Sequence, residues 1–347
     1  MQKNGQGHEN KGTLLITGGA GYIGSHTVKY LLQQHETIVV VDNLVFGHPE
    51  ALDLDRVTLV EGDLGDAALM DQVFATHQPE AVLHFAAFAF VGESVEQPLK
   101  YYRNNVVSPM ILLETMQKHG TKRFIFSSTC ATYGNPQFIP MDESHPQVPV
   151  NPYGASKLML ERVLLDCNGA WGLKSVFLRY FNASGGDLTG EIGEDHTPET
   201  HLIPRILMAA TGEIESITVF GTDYPTADGT CIRDYIHVND LARAHALALE
   251  YLREGGDTIA VNLGTGRGFS VKEILATAEA VTGQTIPVSY GPRRAGDPQE
   301  LVANPAKAKA VLGWEAEYKD PRQHIESAWK WISGPSKGRY ANRKSAT

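Results

Sequence analysis

A tyrosine and a lysine, Tyr153 and Lys157, stand four residues apart in the segment YGASK. On a helix this spacing places both side chains on one face, so that their head groups can meet. A free tyrosine has a pKa near ~10 and is a poor base at neutral pH, but a neighbouring ammonium favours the phenolate. Beside a bound hydride acceptor, such a base could oxidise an alcohol. Because this spacing is common by chance, other parts of the chain must show whether the pair is functional.

A glycine-rich turn follows the first apolar run, in LLITGGAGYIG at residues 14–24. Gly18, Gly21 and Gly24 let a backbone turn tightly and approach a pyrophosphate, whose charge the following helix N-terminus favours. Asp42 comes 18 residues after Gly24 and ends the second predicted strand. A carboxylate there can hydrogen-bond ribose hydroxyls and repel a 2′-phosphate, which favours NAD over NADP.

Asp63 and Leu64 end the third predicted strand. They could border the adenine of such a cofactor, or they could be an ordinary strand-end cap. The residues alone leave both readings open.

Short β-type runs alternate with helical stretches through the first half of the chain. The predicted strands are 13–17, 37–42, 57–60, 81–85, 123–127 and 176–180, and the predicted helices are 22–35, 66–77, 98–119 and 153–171. The strands are dense in Val, Ile, Leu and Phe, as in strands buried on both faces. The pattern predicts an α/β fold with a doubly wound parallel sheet of the Rossmann type.

The pattern changes after Asn182, where a polar segment at 183–204 indicates a long loop. Further predicted strands are 217–220, 233–238 and 259–263, and further helices are 240–252, 271–282, 305–312 and 323–332. We therefore predict an NAD-binding domain at 12–182 and a smaller mixed α/β substrate lobe at 183–332, with parts returning to the sheet. Residues 1–11 and 333–347 are polar and are expected to be flexible tails.

Composition excludes several classes of protein. The 347 residues carry a formal net charge of −10, which argues against a nucleic-acid partner. Three sparse cysteines indicate a reducing compartment without a metal cluster, and the histidines lack metal-ligand spacing. There is neither an apolar run that could span a bilayer nor the apolar core of a signal peptide. We expect a cytoplasmic, soluble protein without membrane or metal.

A hydroxyl-rich segment, SSTCATYG at 127–134, follows the fifth predicted strand. Side chains there would lie at the carboxyl end of the sheet, where such folds bind ligands. Thr129 would complete a hydroxyl–phenol–ammonium set with Tyr153 and Lys157, although such clusters are often only turn formers.

With these motifs in order, the chain resembles the extended short-chain dehydrogenase/reductase family, and within it the UDP-glucose 4-epimerases and their relatives. The resemblance covers residues 13–331. It rests on TGGAGYIGSH (17–26), VDNL (41–44), HFAA (84–87), VGESV (91–95), SSTCATYG (127–134), NPYGASK (151–157), LRYFNASG (178–185), ADGTCIRDYIHV (227–238), NLGTG (262–266) and RRAGD (293–297).

The resemblance implies a site, residue by residue. Tyr153 would be the base, Lys157 would lower its pKa and hold the nicotinamide ribose, and Thr129 would bond the sugar hydroxyl. The positions implied to contact NAD are Gly18, Gly21, Tyr22, Ile23, Gly24, Asp42, Asn43, Asp63, Leu64, Phe85, Ala86, Asn104, Ser127, Tyr153, Lys157 and Tyr180. Those implied to hold the nucleotide-sugar are Thr129, Tyr153, Asn182, His201, Leu202, Phe220, Arg233, Arg294, Asp297 and Leu301.

Two departures affect the expected substrate. Ala89 stands where many of these epimerases have a lysine, and His201 stands where many have an asparagine. The apolar version at 89 resembles plant-type UDP-arabinose 4-epimerases. Leu301 aligns with the position that controls tolerance of an N-acetyl sugar. A leucine there does not show whether such a sugar is accepted.

The expected activity is inversion at carbon 4 of a UDP-hexose through a 4-keto intermediate, with tightly bound NAD and a homodimeric assembly. A UDP-xylose/UDP-arabinose 4-epimerase is the main alternative. A nucleotide-sugar dehydratase would need Asp-Glu after Thr129, where this chain has Cys130 and Ala131. A non-catalytic dinucleotide sensor would not need a general base, whereas this chain retains Tyr153 with Thr129 and Lys157.

Overall fold

The computed structural model of the chain describes residues 12–294, 297–335 and 338–340. In chain order its strands are β1 (Thr13–Thr17), β2 (Thr37–Asp42), β3 (Val57–Glu61), β4 (Ala81–His84), β5 (Arg123–Thr129), β6 (Lys174–Tyr180), β7 (Asn182–Ser184), β8 (Ile217–Phe220), β9 (Ile232–Arg233), β10 (Tyr235–His237), β11 (Ile259–Leu263), β12 (Phe269–Ser270), β13 (Val288–Gly291) and β14 (Glu300–Leu301).

The helices alternate with these strands. They are α1 (Tyr22–Gln33), α2 (Ala67–His77), α3 (Val91–Glu96), α4 (Pro98–Tyr102), α5 (Ser108–His119), α6 (Pro152–Trp171), α7 (Leu202–Ala210), α8 (Val238–Arg253), α9 (Val271–Thr282), α10 (Ala306–Leu312) and α11 (Pro321–Ser333). Within the described ranges, none of them has the length and apolar character needed to cross a membrane.

The main sheet joins seven of the described strands in the order β11, β6, β5, β4, β1, β2, β3, and all the pairs are parallel. Their apolar residues are buried on both faces, as the dense Val, Ile and Leu runs require. The predicted doubly wound parallel sheet is therefore confirmed.

The two faces of the sheet carry different helices. Leu14 and Ile16 of β1 face one core, together with residues of α1 and α8. Leu15, between them in sequence, belongs to the opposite core with residues of α2, α5 and α6. This alternation follows from the two-residue period of a strand.

A further core lies after β7. It gathers apolar residues of α7, α9 and α11 with those of β8, and small two- and three-stranded sheets surround it. Strand β11 comes from this half of the chain but lies beside β6 in the main sheet. Part of the second half thus does return to the sheet, while the domain division near residue 182 stays a prediction.

Several local elements differ from the sequence prediction. The helix expected over 98–119 is two helices, α4 and α5, joined by a π turn at Arg103–Val107. Pro109 lies in the first turn of α5 and has no N–H to give to the preceding turn, so the helix adjusts there. Helix α3 was not predicted. The expected loop 183–204 overlaps β7 at its start and the first turn of α7 at its end. Pro204 does not prevent that helix, because proline is tolerated in the first turn.

The C-terminal segment from residue 333, which the sequence predicts to be a flexible tail, makes packing contacts where the structure describes it. Ser333 ends α11, and Tyr340 is buried against Trp331, with ring centroids 4.7 Å apart. The Tyr340 hydroxyl also donates to the Gly193 carbonyl at 3.3 Å. Burial of an aromatic ring stabilises this segment. Residues 1–11, 336–337 and 341–347 lie outside the described residues.

Buried neutral histidines make the fold sensitive to acid. Burial lowers the pKa of His26, His245 and His324 to about 4. His26 on α1 and His245 on α8 each donate Nδ1–H to the carbonyl four residues earlier, at 2.7 and 2.8 Å. This arrangement suits a neutral ring whose second nitrogen is unprotonated.

We therefore predict that the free energy of unfolding falls as the pH drops from ~6.5 towards ~4. In that window the unfolded chain, with histidine pKa values near ~6.5, binds more protons than the folded chain. His245→Gln should reduce the pH slope of stability near pH 5 by about 1 kcal/mol per pH unit. Urea unfolding of both proteins between pH 4 and pH 8 measures the slope. An unchanged slope would show that His245 does not titrate in this way.

Candidate active site

Helix α6 carries the tyrosine–lysine pair, as the sequence predicts. The Asn151 side chain caps the helix by accepting the backbone N–H of Gly154 at 2.8 Å, and Pro152 occupies the first helical position. Tyr153 therefore lies in the first turn of α6, and Lys157 follows one turn later. Both side chains face the carboxyl end of β5.

Lys157 is held by the end of β5. Its Nζ donates to the Ser127 carbonyl at 2.9 Å and lies 4.9 Å from the centre of the Phe126 ring. The side chain is buried, and burial lowers the pKa of Lys157 to about 7, although the Glu161 carboxylate acts in the opposite direction. The ammonium thus has a carbonyl, a ring face and a carboxylate to hold its charge.

Tyr153 and Thr129 meet through their hydroxyl groups. The hydrogen bond from Thr129 lowers the pKa of Tyr153, but burial is the larger effect and raises that pKa above its ordinary value. Thr129 Oγ1 also accepts the backbone N–H of Ala131 at 3.1 Å, which fixes its rotamer. The structure brings the three predicted catalytic residues together, and a further positive charge is needed to stabilise a phenolate at neutral pH.

A second pair of hydroxyl groups lies beside them. Ser127 at the end of β5 and Tyr180 at the end of β6 share a short hydrogen bond. Burial raises the pKa of Tyr180 to about 12, so its hydroxyl stays neutral. Both residues lie at the carboxyl edge of the sheet, as predicted.

A buried ionic network supports this edge from behind and was not predicted. Arg179 of β6 forms two hydrogen bonds with the Glu161 carboxylate of α6, at 2.9 and 2.6 Å. Ser128 donates to the same carboxylate at 2.6 Å. Arg179 also donates to the Tyr133 hydroxyl at 3.0 Å, which in turn donates to the Asn262 side chain at 2.6 Å. The network ties α6, β5, β6 and β11 together.

The glycine turn forms between β1 and α1. Gly18 has a φ of +73°, which glycine adopts without strain, and a Cβ there would lie 2.5 Å from the Ala86 nitrogen. A Cβ on Gly24 would collide with the Gly18 carbonyl oxygen. Gly21 is the N-cap of α1. Because glycine has no side chain, no side-chain acceptor pairs with the N–H groups of the first turn. The first turn of α1 thus fits a pyrophosphate.

Asp42 lies at the end of β2, next to this turn. Its carboxylate accepts the backbone N–H groups of Ala20 at 3.0 Å and Leu44 at 2.9 Å. These two bonds lower the pKa of Asp42, while burial raises it more strongly. The carboxylate is therefore fixed beside the glycine turn, where a ribose hydroxyl can reach it.

The other predicted cofactor positions surround the same edge. Asn43 donates to the Asp63 carboxylate at 3.0 Å. Leu64 packs in the core formed with α2, and Ile23 packs against the opposite core. The backbone N–H groups of Phe85 and Ala86 both donate to the Thr17 carbonyl, at 2.9 and 3.0 Å.

Two further cofactor positions involve contacts that the sequence does not reveal. The Tyr22 hydroxyl donates to the Gly185 carbonyl at 2.7 Å, which links α1 to the second half of the chain. Asn104 donates to Asn105 at 2.9 Å, and Asn105 donates to the Ser156 hydroxyl at 3.1 Å. Asn105 thereby connects the π turn to α6 beside Tyr153.

Four predicted nucleotide-sugar positions gather around Arg233. Arg233 pairs with Asp297 and donates to the Pro298 carbonyl at 2.8 Å. In the pairing of β9 with β14, Leu301 lies opposite Arg233. The Arg294 guanidinium is exposed and lies 4.2 Å from the centre of the Phe220 ring. Guanidinium groups suit a diphosphate, and an aromatic ring such as that of Phe220 suits the base joined to it.

The catalytic segment and the Arg233 cluster lie close together. Cys130 packs in one small core with Leu301, and Arg233 acts on its thiol electrostatically. Burial raises the pKa of the Cys130 thiol to about 12, so it is a packing residue and is neither a base nor an acid near neutrality.

The remaining substrate positions lie on β7 and α7. The Asn182 N–H donates to the Asp234 carbonyl at 3.0 Å. His201 is the N-cap of α7, and Leu202 is its first residue. Asp234 was not predicted; its buried carboxylate accepts three bonds from Thr265 and Gly266, at 2.8, 2.7 and 3.1 Å. Local sequence patterns do not reveal this contact, because Asp234 and Thr265 are 31 positions apart in the chain.

Comparison with known proteins agrees with this geometry. Residues 14–264 match the profile of the NAD dependent epimerase/dehydratase family. A protein of Halalkalibacterium halodurans named UDP-glucose 4-epimerase is 53% identical over 318 residues, which are 92% of this chain and 95% of the relative.

Solved structures are equally similar. UDP-glucose 4-epimerase from Brucella ovis, solved with NAD, superposes with a TM-score of 0.89 at 52% identity, over 92% of this chain and 97% of the other. The enzyme from Bifidobacterium longum, solved with NAD+ and UDP, gives a TM-score of 0.89 at 39% identity, over 94% of this chain and all of the other.

The buried network gives a prediction about stability. Glu161→Gln should lower the free energy of unfolding by about 3 kcal/mol, because Arg179 would keep its charge in the interior without a carboxylate. Replacing both partners, with Glu161→Leu and Arg179→Met, should cost less than Glu161→Gln alone. Urea unfolding followed by fluorescence and circular dichroism gives both values.

The matched control is Glu315→Gln, which removes exposed ion pairs with Lys309 and Lys319. It should change stability much less than Glu161→Gln, because solvent screens exposed ion pairs. A loss for Glu161→Gln as small as that of the control would contradict the proposed importance of the network.

Proposed function

Since the chain belongs to the NAD dependent epimerase/dehydratase family, we propose that it inverts carbon 4 of a UDP-hexose and interconverts UDP-glucose and UDP-galactose. The observation that carries this proposal is that Thr129, Tyr153 and Lys157 lie together at the carboxyl end of β5. Relatives at 45–53% identity over nearly the whole chain are named UDP-glucose 4-epimerase, which supports the choice of substrate.

NAD is the cofactor, and the chain has the groups to hold it. The first turn of α1 receives the pyrophosphate, and Asp42 receives the adenosine ribose. Lys157 holds the second ribose at the end of β5. When bound, NAD supplies the acceptor and then the donor of one hydride.

Tyr153 performs the proton transfers. Its phenolate removes the proton of the sugar 4-hydroxyl as carbon 4 is oxidised to a ketone, and it returns the proton when the ketone is reduced on its other face. Thr129, fixed by the Ala131 N–H, bonds the same hydroxyl and positions it. The reaction needs no external oxidant, so the cofactor stays bound throughout turnover.

The electrostatics of Tyr153 explain why the cofactor must be present. Lowering a tyrosine pKa from ~10 to ~7 requires about 4 kcal/mol of preferential stabilisation of the phenolate. Burial acts against this, since it raises the pKa of Tyr153. The Lys157 ammonium and the positive charge of oxidised nicotinamide together provide the opposing attraction.

The nucleotide is held firmly and the sugar loosely. Arg233 and Arg294 bind the diphosphate, with Phe220 beside the uracil and Asp297 fixing Arg233. Asn182, His201, Leu202 and Leu301 border the UDP-sugar. Because the ketone must present both faces to one hydride donor, the sugar has to rotate while the UDP end stays in place.

Alternative substrates and reactions are less well supported. The pentose alternative rests on Ala89 and on the segments SSTCATYG and TADGTC, in which plant-type UDP-arabinose 4-epimerases resemble this chain, whereas near full-length relatives carry the hexose name. A dehydratase would need an acid–base pair after Thr129, and the buried thiol of Cys130 cannot supply it because its pKa is raised to about 12.

We also propose a homodimer through α4, α5 and α6. Large apolar side chains are exposed along these helices, with Leu99 69% exposed, Met110 43% and Met159 46%. Such a surface is typical of a subunit interface. Three free cysteines suit a reducing compartment, which supports the proposed cytoplasmic location.

Tyr153→Phe should lower kcat on UDP-galactose by at least about 100-fold, because the general base is lost. The assay uses purified protein without added NAD and measures the UDP-glucose formed. Tyr290→Phe removes a hydroxyl at a position that is 64% exposed and should leave the rate unchanged. Activity of Tyr153→Phe near that of the wild type would refute its role.

A panel of UDP-glucose, UDP-galactose, their N-acetyl analogues and UDP-arabinose, read as epimer ratios, tests the sugar. We expect the hexoses to be converted at least about tenfold faster than UDP-arabinose, a difference of about 1.4 kcal/mol in activation free energy. Faster conversion of UDP-arabinose would favour the pentose alternative while leaving the Tyr153 chemistry intact.

Leu99→Glu together with Met110→Glu should convert the dimer to a monomer, because charges would be buried in an apolar interface. Light scattering should then change from about twice the chain mass of 37.9 kDa to that mass. Val311→Glu, on the exposed side of α10, is the matched control and should remain dimeric. A wild-type protein that is already monomeric would exclude the interface.

A further inference from the structure

Four side chains with metal-binding groups converge in the segment before α7. One ligand atom from each of Glu194, His196, Glu199 and His201 lies within 4.8 Å of the other three. We propose that these residues, which we call the Glu/His cluster, bind one divalent cation of the zinc class, which fixes the wall of the substrate pocket.

The spacing of the ligand atoms supports this proposal. His196 Nδ1 lies 3.2 Å from Glu194 Oε1 and 3.6 Å from Glu199 Oε2, and His201 Nδ1 lies 3.8 Å from Glu199 Oε1. Tetrahedral zinc with bonds of about 2.0–2.1 Å has ligand atoms about 3.3–3.4 Å apart. For a cation to enter between them, the close contact between His201 and Glu194 has to open and the wider pairs have to move slightly closer.

The charges call for a compensating cation. The side chains of Glu194 and Glu199 are only 4% and 6% exposed. Two buried carboxylates this close together must be neutralised by pairing or by a metal. The rings of Phe46 and Phe90 pack at right angles to His196, with centroids 6.4 and 5.9 Å away, and they limit access of water. One divalent ion balances both carboxylates.

The chemistry of the four ligands indicates which metal binds to the cluster and what role the metal has. Two imidazoles with two carboxylates suit Zn²⁺, whereas Mg²⁺ and Ca²⁺ prefer sites made of oxygen alone. Four protein ligands leave no position for a reactive water, as in a structural site. The cation would tie the loop at 194–199 to His201, the N-cap of α7, and so place Leu202 in the substrate pocket.

The spacing of the histidines alone predicts no metal site, because the neighbouring glutamates complete the ligand set. In EDHTPETH, the ligands stand at alternating short intervals that match no common zinc motif. The fold brings them together by turning the segment at 194–201 back on itself before α7 begins.

The test uses the untagged full chain after removal of metal with a chelator and dialysis. We expect Zn²⁺ to bind with a stoichiometry of one per chain by calorimetry and metal analysis, and to raise Tm by several degrees. Co²⁺ should give the intense visible absorption of a tetrahedral complex. Mg²⁺ at the same concentration should have neither effect.

His201→Asn is the main variant, since the His201 side chain is 45% exposed and its replacement should not prevent folding. It should weaken Zn²⁺ binding by more than about tenfold. His119→Ala, which removes an imidazole paired with Asp71 on the surface, is the matched control and should bind Zn²⁺ as the wild type does.

Two results would overturn the proposal: a chelator-treated protein that takes up no stoichiometric Zn²⁺, or equal Zn²⁺ affinity in His201→Asn and the wild type. In either case the Glu/His cluster is neutralised by protonated histidines instead. Because metal content and Tm are read without a turnover assay, this outcome is independent of whether the epimerase proposal holds.

Discussion

The site depends on keeping a positive charge in a place where water cannot stabilise it. Lys157 lies buried at the end of β5, and burial lowers its pKa to about 7. The Ser127 carbonyl at 2.9 Å and the Glu161 carboxylate one helical turn away favour the ammonium. Without them the lysine would lose its proton and could no longer stabilise a phenolate. The parallel sheet matters because it delivers these partners to one edge.

The same burial has opposite effects on the two catalytic groups. It raises the pKa of Tyr153 and lowers that of Lys157, so both are driven towards their neutral forms. The ionised pair is therefore disfavoured until another positive charge arrives. A cofactor that is positive only in its oxidised form provides this charge, and the base is then available when an alcohol can be oxidised. We infer that the dry site couples the state of Tyr153 to that of the cofactor.

Local patterns in the sequence predicted much of this arrangement. Gly18, Gly21 and Gly24 follow a strand and open a helix, and the β/α alternation placed Thr129 at the carboxyl edge. Contacts between distant segments were not predictable in this way. Glu161 and Arg179 look like ordinary surface charges of a helix and a strand, and they become a buried pair only when β6 packs against α6. Asp234 likewise lies in the predicted strand 233–238, and no local pattern indicates that Thr265 donates to its carboxylate.

The second half of the chain contacts the segment around Thr129 through a small apolar core. Leu301 packs with Cys130, the residue after Thr129, and its neighbours in that small core include Tyr133 and Met141. Tyr133 is itself held by Arg179 and Asn262. The network that fixes α6 therefore also fixes the wall against which Leu301 rests. Since that wall cannot yield easily, we propose that the space for a substituent on the sugar is set by the size of the side chain at 301 and by the position of Leu202 on α7.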